Sequence, residues 1–294
     1  MIIVSGASGQ LGRLTVEALL EKVPADRVRA LSRDPARLGG LAGRGVAVAP
    51  ADFDDPSTLG SAFSGGEVLL IISTDDLRPG ARVRQHGAAI DAAKAAGIRH
   101  VVYTSAIDPR PENPAKVISA DHRESERLLA ESGLAWSALR NNLYMDLMLA
   151  PGALPGGSVV GNSGEGRAAY VAREDCAAVA AAVLADPGPY AGRALEVTGP
   201  EALSPGELAA ILAEVAGRPV GAHGLSDEAY TGALAGAGLP GEFVDVMVAF
   251  GVAIREGWLG RVTPVVAEAT GRPATTARAF FEANRPALLA ALGG

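Results

Sequence analysis

The sequence predicts an α/β fold: a doubly wound parallel sheet with a smaller, mostly helical C-terminal subdomain. Three observations predict it. Short apolar runs alternate with helical patterns over residues 1–140. Several of these runs are apolar without a break, Leu69-Leu70-Ile71-Ile72 most clearly, and such a strand must be covered on both faces, as parallel sheets are. Past Pro151 the alternation loosens into Gly- and Pro-rich sequence and then into helical patterns.

The elements follow in order. Residues 2–5 read as a strand. Residues 11–22 read as a helix, because Leu11, Leu14, Thr15, Ala18 and Leu19 share one face. Strands are expected at 28–31 and 46–49, a short helix at 56–63 and a strand at 68–72. A helix at 81–96 is closed by Gly97 at its C-terminal cap. A strand at 101–104, a helix at 121–131 and a strand at 135–139 complete the first series. A helical pattern returns at 170–186 and a strand at 193–197, and from Ser204 onward the chain reads mostly helical. Residues 1–150 are therefore expected to form the sheet domain, with 170–198 returning to it. Residues 151–294 form the smaller subdomain, against the carboxyl edge of the sheet where ligands bind in such folds.

Composition narrows the function. The net charge of −7 and the scattered arginines argue against a nucleic-acid partner, which would need a basic stripe. No apolar run reaches the roughly 18 residues of a membrane span, and the apolar start Met1-Ile2-Ile3-Val4 is too short for a signal peptide. A cytoplasmic location is expected. The single cysteine, Cys176, rules out an internal disulfide, and His86, His100, His122 and His223 lack metal-ligand spacing, so no metal is expected.

The sharpest local signal is Gly6-Ala7-Ser8-Gly9-Gln10-Leu11-Gly12, between the first strand and the first helix. Glycines at this spacing permit a tight turn and let main chain approach a pyrophosphate. The amides and positive dipole end of the helix then face the anion. This is a Rossmann-type dinucleotide site. An NAD-specific site places an acid at the end of the second strand, on the ribose hydroxyl. Here that strand ends Leu31-Ser32-Arg33, and arginine offers a fixed fork for a 2′-phosphate. The expected cofactor is NADP(H) rather than NAD(H). Asp52, past the third strand, is either an adenine contact or a turn former in Asp52-Phe53-Asp54-Asp55-Pro56.

Conventional short-chain dehydrogenases join this glycine spacing to a serine and to Tyr-x-x-x-Lys on a later helix. Ser105, in Tyr103-Thr104-Ser105, stands where that serine would be. His122 then replaces the tyrosine and Glu126 the lysine, and a carboxylate cannot do the work of a cation. Alcohol–ketone interconversion is not expected. His122 reads either as a proton donor near neutral pH or as a helix-start histidine beside Asp121. A hydrolase is rejected, since no Gly-x-Ser-x-Gly elbow is present.

Through these residues the chain resembles the NmrA-like branch of atypical short-chain dehydrogenases, and within it the bacterial NAD(P)H:quinone oxidoreductases. Further matching blocks are Gln85-His86, Ala92-Ala93-Lys94-Ala95-Ala96-Gly97, Ala120-Asp121-His122 through Glu126, and Ser132-Gly133-Leu134. Leu139-Arg140-Asn141 with Tyr144, and Gly271-Arg272-Pro273 with Thr275-Thr276, complete them. The resemblance implies NADP(H) held by the glycine loop, by Arg33 and by the strand end at Ser73, with Ser105, Asn141 and Arg173 near the cofactor. It implies that Asn141 and Tyr144 lie beside nicotinamide and substrate, and that a quinone-like acceptor takes hydride directly. In such chemistry the protein supplies proximity, alignment and a dry pocket. The chain departs from the family at Asn142-Leu143 and at Leu147, where substrate should sit. A second function class is a redox sensor that binds NADP(H) without turnover and regulates a protein partner. A third is reduction or epimerisation of another small molecule. Residues 243–254 read as core or as a homodimer interface.

Overall fold

The computed structural model describes residues 1–293. The chain runs β1 (Ile2–Val4), α1 (Gln10–Leu20), β2 (Val28–Ser32), α2 (Gly39–Ala42), β3 (Ala47–Pro50), α3 (Leu59–Phe63), β4 (Val68–Ile71), α4 (Ala81–Ala95), β5 (His100–Ala106), α5 (Lys116–Glu131) and β6 (Ala135–Asn141). It continues with β7 (Ser158–Gly161), α6 (Arg173–Ala185), β8 (Arg193–Val197), α7 (Pro205–Ala216), β9 (Gly221–Gly224), α8 (Asp227–Gly236), α9 (Gly241–Arg255), α10 (Val265–Thr270), α11 (Ala277–Ala283) and α12 (Arg285–Ala291). Seven strands form one parallel sheet in the order β3-β2-β1-β4-β5-β6-β8. The order reverses between β1 and β4, which opens a crevice at their carboxyl ends.

The unbroken apolar strands are explained by burial on both faces. Val4, Leu70, Val102 and Leu139 point into one core, shared with α1 and α6. Ile3, Leu69, Ile71, Val101 and Tyr103 point into the other, beneath α3, α4 and α5. Each fully buried Leu or Ile contributes about 1.5–3 kcal/mol, so neither face tolerates a polar alternation. The segment 173–197 adds α6 against α1 and β8 against β6.

Three local expectations are corrected. The helix expected from Asp121 begins at Lys116, started by Asn113-Pro114, with the Asn113 side chain accepting from the Ala115 N–H at 3.0 Å. Asp121 therefore lies inside α5 and is not its cap. The helix expected from Tyr170 begins at Arg173, because Val171 bridges to Tyr144 in extended conformation. A second, two-stranded parallel sheet, β7–β9, had no counterpart in the sequence reading.

The C-terminal helices form two satellite cores. One gathers α7, α11 and α12 under the turn at Met145–Leu149, and α7 starts on a Ser204–Glu207 capping box. The other packs Ala253, Ile254 and Leu259 against Ile107 and Ala115 beyond β5. Within 243–254, Val244, Val246, Gly251, Ala253 and Ile254 are buried and Phe243 is exposed. Gly251 is needed for contact: an added Cβ would lie 1.7 Å from Asn162 Oδ1. Asn162 Nδ2 in turn donates to Val248 O (3.0 Å) and to Asp227 (2.8 Å). Gly251→Ala is expected to lower stability by roughly 1–3 kcal/mol, read as a lower urea midpoint. An unchanged midpoint would show that α9 can slide off β7 without loss.

Candidate coenzyme and acceptor site

The site is built at the crevice. Ser5 Oγ accepts from the Ile72 N–H at 2.9 Å, tying the ends of β1 and β4. The glycine turn follows at once. Its Ala7 N–H donates to Leu31 O at 2.9 Å, which anchors the turn on β2. Gly9 stands at the start of α1 and brings no side-chain cap, so the first amides of the helix stay available to a ligand. Gly12 makes the turn close: an added Cβ would lie 2.3 Å from Gly6 O and 2.8 Å from Ala7 Cα. Only bare main chain fits, and that is the cradle a pyrophosphate needs.

Beyond β2, Ser32 Oγ donates to Ser8 Oγ at 2.9 Å and accepts from the Asp34 N–H at 3.1 Å. Asp34 caps the turn at Pro35–Leu38 through the Ala36 N–H. Arg33 is exposed, and its guanidinium makes no ion pair among the described residues. A cleft of about 140 Å³ opens between the glycine turn and the segment 37–44, lined among others by Ala7, Ser8, Arg13, Glu17, Arg37 and Arg44, with Arg13 paired to Glu17. That Arg13, Arg37 and Arg44 line one cleft depends on how the Pro35–Leu38 turn folds back on α1, which no spacing shows. Asp52 engages Oδ1 in its own turn, accepting from the Asp54 N–H at 3.0 Å.

At the other end, the Ser73 N–H donates to Thr104 Oγ1 at 2.8 Å. Ser105 Oγ donates to Glu126 at 2.6 Å, and Arg140 grips the same carboxylate at 2.7 and 3.0 Å. The Glu126 carboxylate beside it raises the Arg140 pKa. The position of the missing lysine is thus a neutralised ion pair, and the Ser105 hydroxyl is already engaged within the protein.

Asn141 ends β6. Its Nδ2 donates to Tyr144 Oη at 3.0 Å, and its Oδ1 is enclosed with no partner. A buried acceptor left open is costly unless a ligand fills it. Burial pushes the Tyr144 hydroxyl pKa well up, so it keeps its proton. The Arg173 guanidinium lies over the Tyr144 ring, 4.7 Å from its centre, pairs with Asp146 at 3.2 Å and touches Gln10 of the glycine turn. Asn141, Tyr144, Arg173 and the glycine turn are thereby brought to one place. The residues fit a dinucleotide, with a main-chain cradle at one end and an open amide oxygen at the other.

His122 sits elsewhere. It is buried under β5, its Nδ1 2.7 Å from Tyr103 Oη, and it makes no hydrogen bond to Asn141 or Tyr144. Desolvation, then Arg82 and His86, hold its pKa well below the ordinary value. The expectation that it titrates near neutral pH is corrected: the ring is neutral there. Among the described residues no cluster of His, Cys, Asp or Glu suits a metal, and no helix is long and apolar enough to cross a membrane.

A family model described as NAD(P)H-binding matches residues 6–187. Quinone oxidoreductase 2 of Escherichia coli (strain K12) is 36% identical over 94% of this chain and 96% of its own. An NAD(P)H azoreductase of Xenophilus azovorans is 35% identical over 99% of this chain and 100% of its own. The crystal structure of the Escherichia coli NADPH-dependent quinone oxidoreductase complexed with NADPH matches with a TM-score of 0.90 at 36% identity, covering 97% of this chain and 99% of that one. The chain belongs to the NAD(P)H-binding family, in the NmrA-like branch of atypical short-chain dehydrogenases that holds the NAD(P)H quinone oxidoreductases.

Proposed function

We propose that this NAD(P)H-dependent reductase uses NADPH to reduce quinones, or acceptors like them, by direct hydride transfer. The reading rests above all on Asn141 Oδ1, an enclosed acceptor left without a partner, at a pair that Arg173 ties to the glycine turn. The bound coenzyme supplies the hydride. The amides at the start of α1 would hold its pyrophosphate, and Arg33 would take the 2′-phosphate. Asn141 Oδ1 would accept a hydrogen bond from the far end of the dinucleotide. Arg173 couples Tyr144 at that end to Gln10 of the glycine turn. Leu143, which packs with Phe250 and Trp258 against the core around Ile107 and Ala253, would give the acceptor side an apolar wall. Asn142 turns away to donate to Leu259 O at 3.0 Å, so this departure from the family serves packing. A quinone is a ready hydride acceptor, which is why an ion pair can stand where a catalytic lysine is lost.

Purified protein mixed with NADPH and a panel of quinones should oxidise the coenzyme only when an acceptor is present, followed at the nicotinamide absorbance. No acceptor-dependent oxidation across the panel would overturn the reading. If the oxidised and reduced coenzymes then bound with different affinity and captured a partner protein in one state only, the non-catalytic sensor would replace it. Arg33→Ala should weaken NADPH by roughly 1.5–3 kcal/mol and leave NADH nearly unchanged, since one charge-assisted contact is removed. Equal loss for both coenzymes, by calorimetry, would remove Arg33 from the phosphate.

A further inference from the structure

Two loops leave the carboxyl edge of the sheet beside the glycine turn, one on each side of it. The first follows β3. Its Ala51 N–H donates to Ser32 O at 3.1 Å, and Ser32 is the residue that reaches Ser8 of the turn. The second follows β4. Its Ile72 lies against the turn, since a Cβ added to Gly6 would be 3.5 Å from Ile72 Cβ. The loops repel one another. The first carries Asp52, Asp54 and Asp55, and the second carries Asp75 and Asp76.

One side chain joins them. Gln85, in the second turn of α4, is 4% exposed. Its Nε2 donates to Asp54 Oδ2 at 2.9 Å and to Asp76 Oδ2 at 3.4 Å, and its Oε1 accepts from Thr74 Oγ1 at 2.5 Å. A carboxylate only accepts, so the amide nitrogen must face the two aspartates and the oxygen must face Thr74. Each amide proton thus goes to a different loop. Arg84 adds a longer ion pair to Asp54 at 3.6 Å, and Arg78 grips Asp76 from within the second loop. Main-chain bonds from Ser73 to Thr104 and from Thr74 to His86 fix the start of that loop.

We propose that Gln85 is a positioning residue for the coenzyme, whose amide clamps the loop after β3 to the loop after β4 and so holds both at the rim of the dinucleotide crevice. It acts through the two loops. The proposal rests on the placing of the coenzyme at the glycine turn given above, and not on the acceptor. A neutral amide suits the task, because it donates to two carboxylates without adding charge beside an anionic coenzyme. A glutamate of the same shape has a proton to donate only when protonated, and two aspartates beside it raise the pH at which it keeps that proton. A methionine of similar volume fills the space and offers neither donor nor strong acceptor. The charged and titratable groups around the amide are Asp54 from the first loop, Asp75, Asp76 and Arg78 from the second, and Arg82, Arg84 and His86 from α4. On the far flank of α4, α5 brings Asp121 and His122 toward Arg82, and α3 brings no titratable group.

Calorimetry with NADP⁺ and urea unfolding test this together. Gln85→Met should weaken NADP⁺ by about tenfold, the equivalent of one hydrogen bond between side chains. Asp54→Ala removes the exposed foot of the clamp at little risk to folding and should weaken NADP⁺ by about threefold or more. Added to Gln85→Met, it should change nothing further, because both variants break the same bond. Gln85→Glu should bind as weakly as Gln85→Met near about pH 8 and approach the wild type near about pH 5, each compared with wild type at the same pH. A role in packing alone would lower the urea midpoint of Gln85→Met and leave coenzyme affinity and its pH profile where they were. Affinity within about twofold of wild type in Gln85→Met and Asp54→Ala would overturn the proposal. So would a Gln85→Glu protein whose affinity relative to wild type does not change with pH. If neither Gln85 variant folds, Asp54→Ala decides. A wild type without affinity for NADP⁺ would sink the placing of the coenzyme and the proposal with it, whereas a wild type that binds and variants that bind equally well overturn the proposal alone.

Discussion

Replacing Gly12 with alanine is expected to weaken NADPH binding more than about 100-fold, the loss of at least two charge-assisted hydrogen bonds at roughly 1.5–3 kcal/mol each. The new methyl would meet Gly6 O at 2.3 Å and Ala7 Cα at 2.8 Å. Both are main-chain atoms of a turn held on β2, so no side chain can swing aside to make room. The first turn of α1 must move away from the glycine loop, and its amides lose their aim at the pyrophosphate. Overpacking alone costs about 1–3 kcal/mol of stability, so the binding loss should exceed the folding loss. Calorimetry with NADPH and urea unfolding separate the two. Gly60→Ala is the control, because an added Cβ there meets nothing within 4 Å. Affinity within about threefold of wild type in Gly12→Ala would mean that the start of α1 does not hold the phosphates, since a two-bond loss cannot be that small.

That site was legible because it is made of main chain. Three glycines at fixed spacing after a strand specify a turn whatever the rest of the molecule does. Arg33 could be placed by spacing alone, as the residue that follows β2. The parallel sheet followed from Leu69-Leu70-Ile71-Ile72, whose lack of alternation leaves no face for water. Other features need contacts that spacing does not carry. Ser158-Val159-Val160-Gly161 and Gly221-Ala222-His223-Gly224 have too few large apolar side chains to show a strand period, yet they pair along their length. Asn141, Tyr144 and Arg173 were reached through family resemblance. Their meeting with Gln10 depends on α6 lying against α1. Glu126 was visible as the loss of a lysine, but its neutralisation by Arg140 was not. Tyr103 falls in the strand expected at 101–104, and nothing in the spacing marks it further. Its partners come from α4 and α5, whose facing surfaces are set by packing.

Asp175→Ala is expected to cost about 3–5 kcal/mol of stability, the range for breaking a buried charged network from one side. The residue is fully buried in the first turn of α6. Its carboxylate accepts from the Thr275 N–H at 2.7 Å, from Thr275 Oγ at 3.1 Å and from Arg272 at 2.7 Å. These contacts join the sheet domain to the segment before α11, and so explain the Gly271-Arg272-Pro273 and Thr275 block in the sequence. Arg272 is nearly half exposed, so water takes up much of what its guanidinium loses. The larger loss is at Thr275, whose amide and hydroxyl are left facing a cavity. Asp175→Asn keeps the shape and one acceptor, and should cost about half as much because hydrogen bonds to a neutral group are weaker. The same helical turn carries Arg173, which touches both Gln10 and Tyr144. Loosening it should therefore raise the KM for NADPH in Asp175→Asn even where the protein remains folded. Urea midpoints and KM values for the two variants check both statements. An Asp175→Ala protein within about 0.5 kcal/mol of wild type, the size of an ordinary surface change, would show that the carboxylate does not anchor the C-terminal helices.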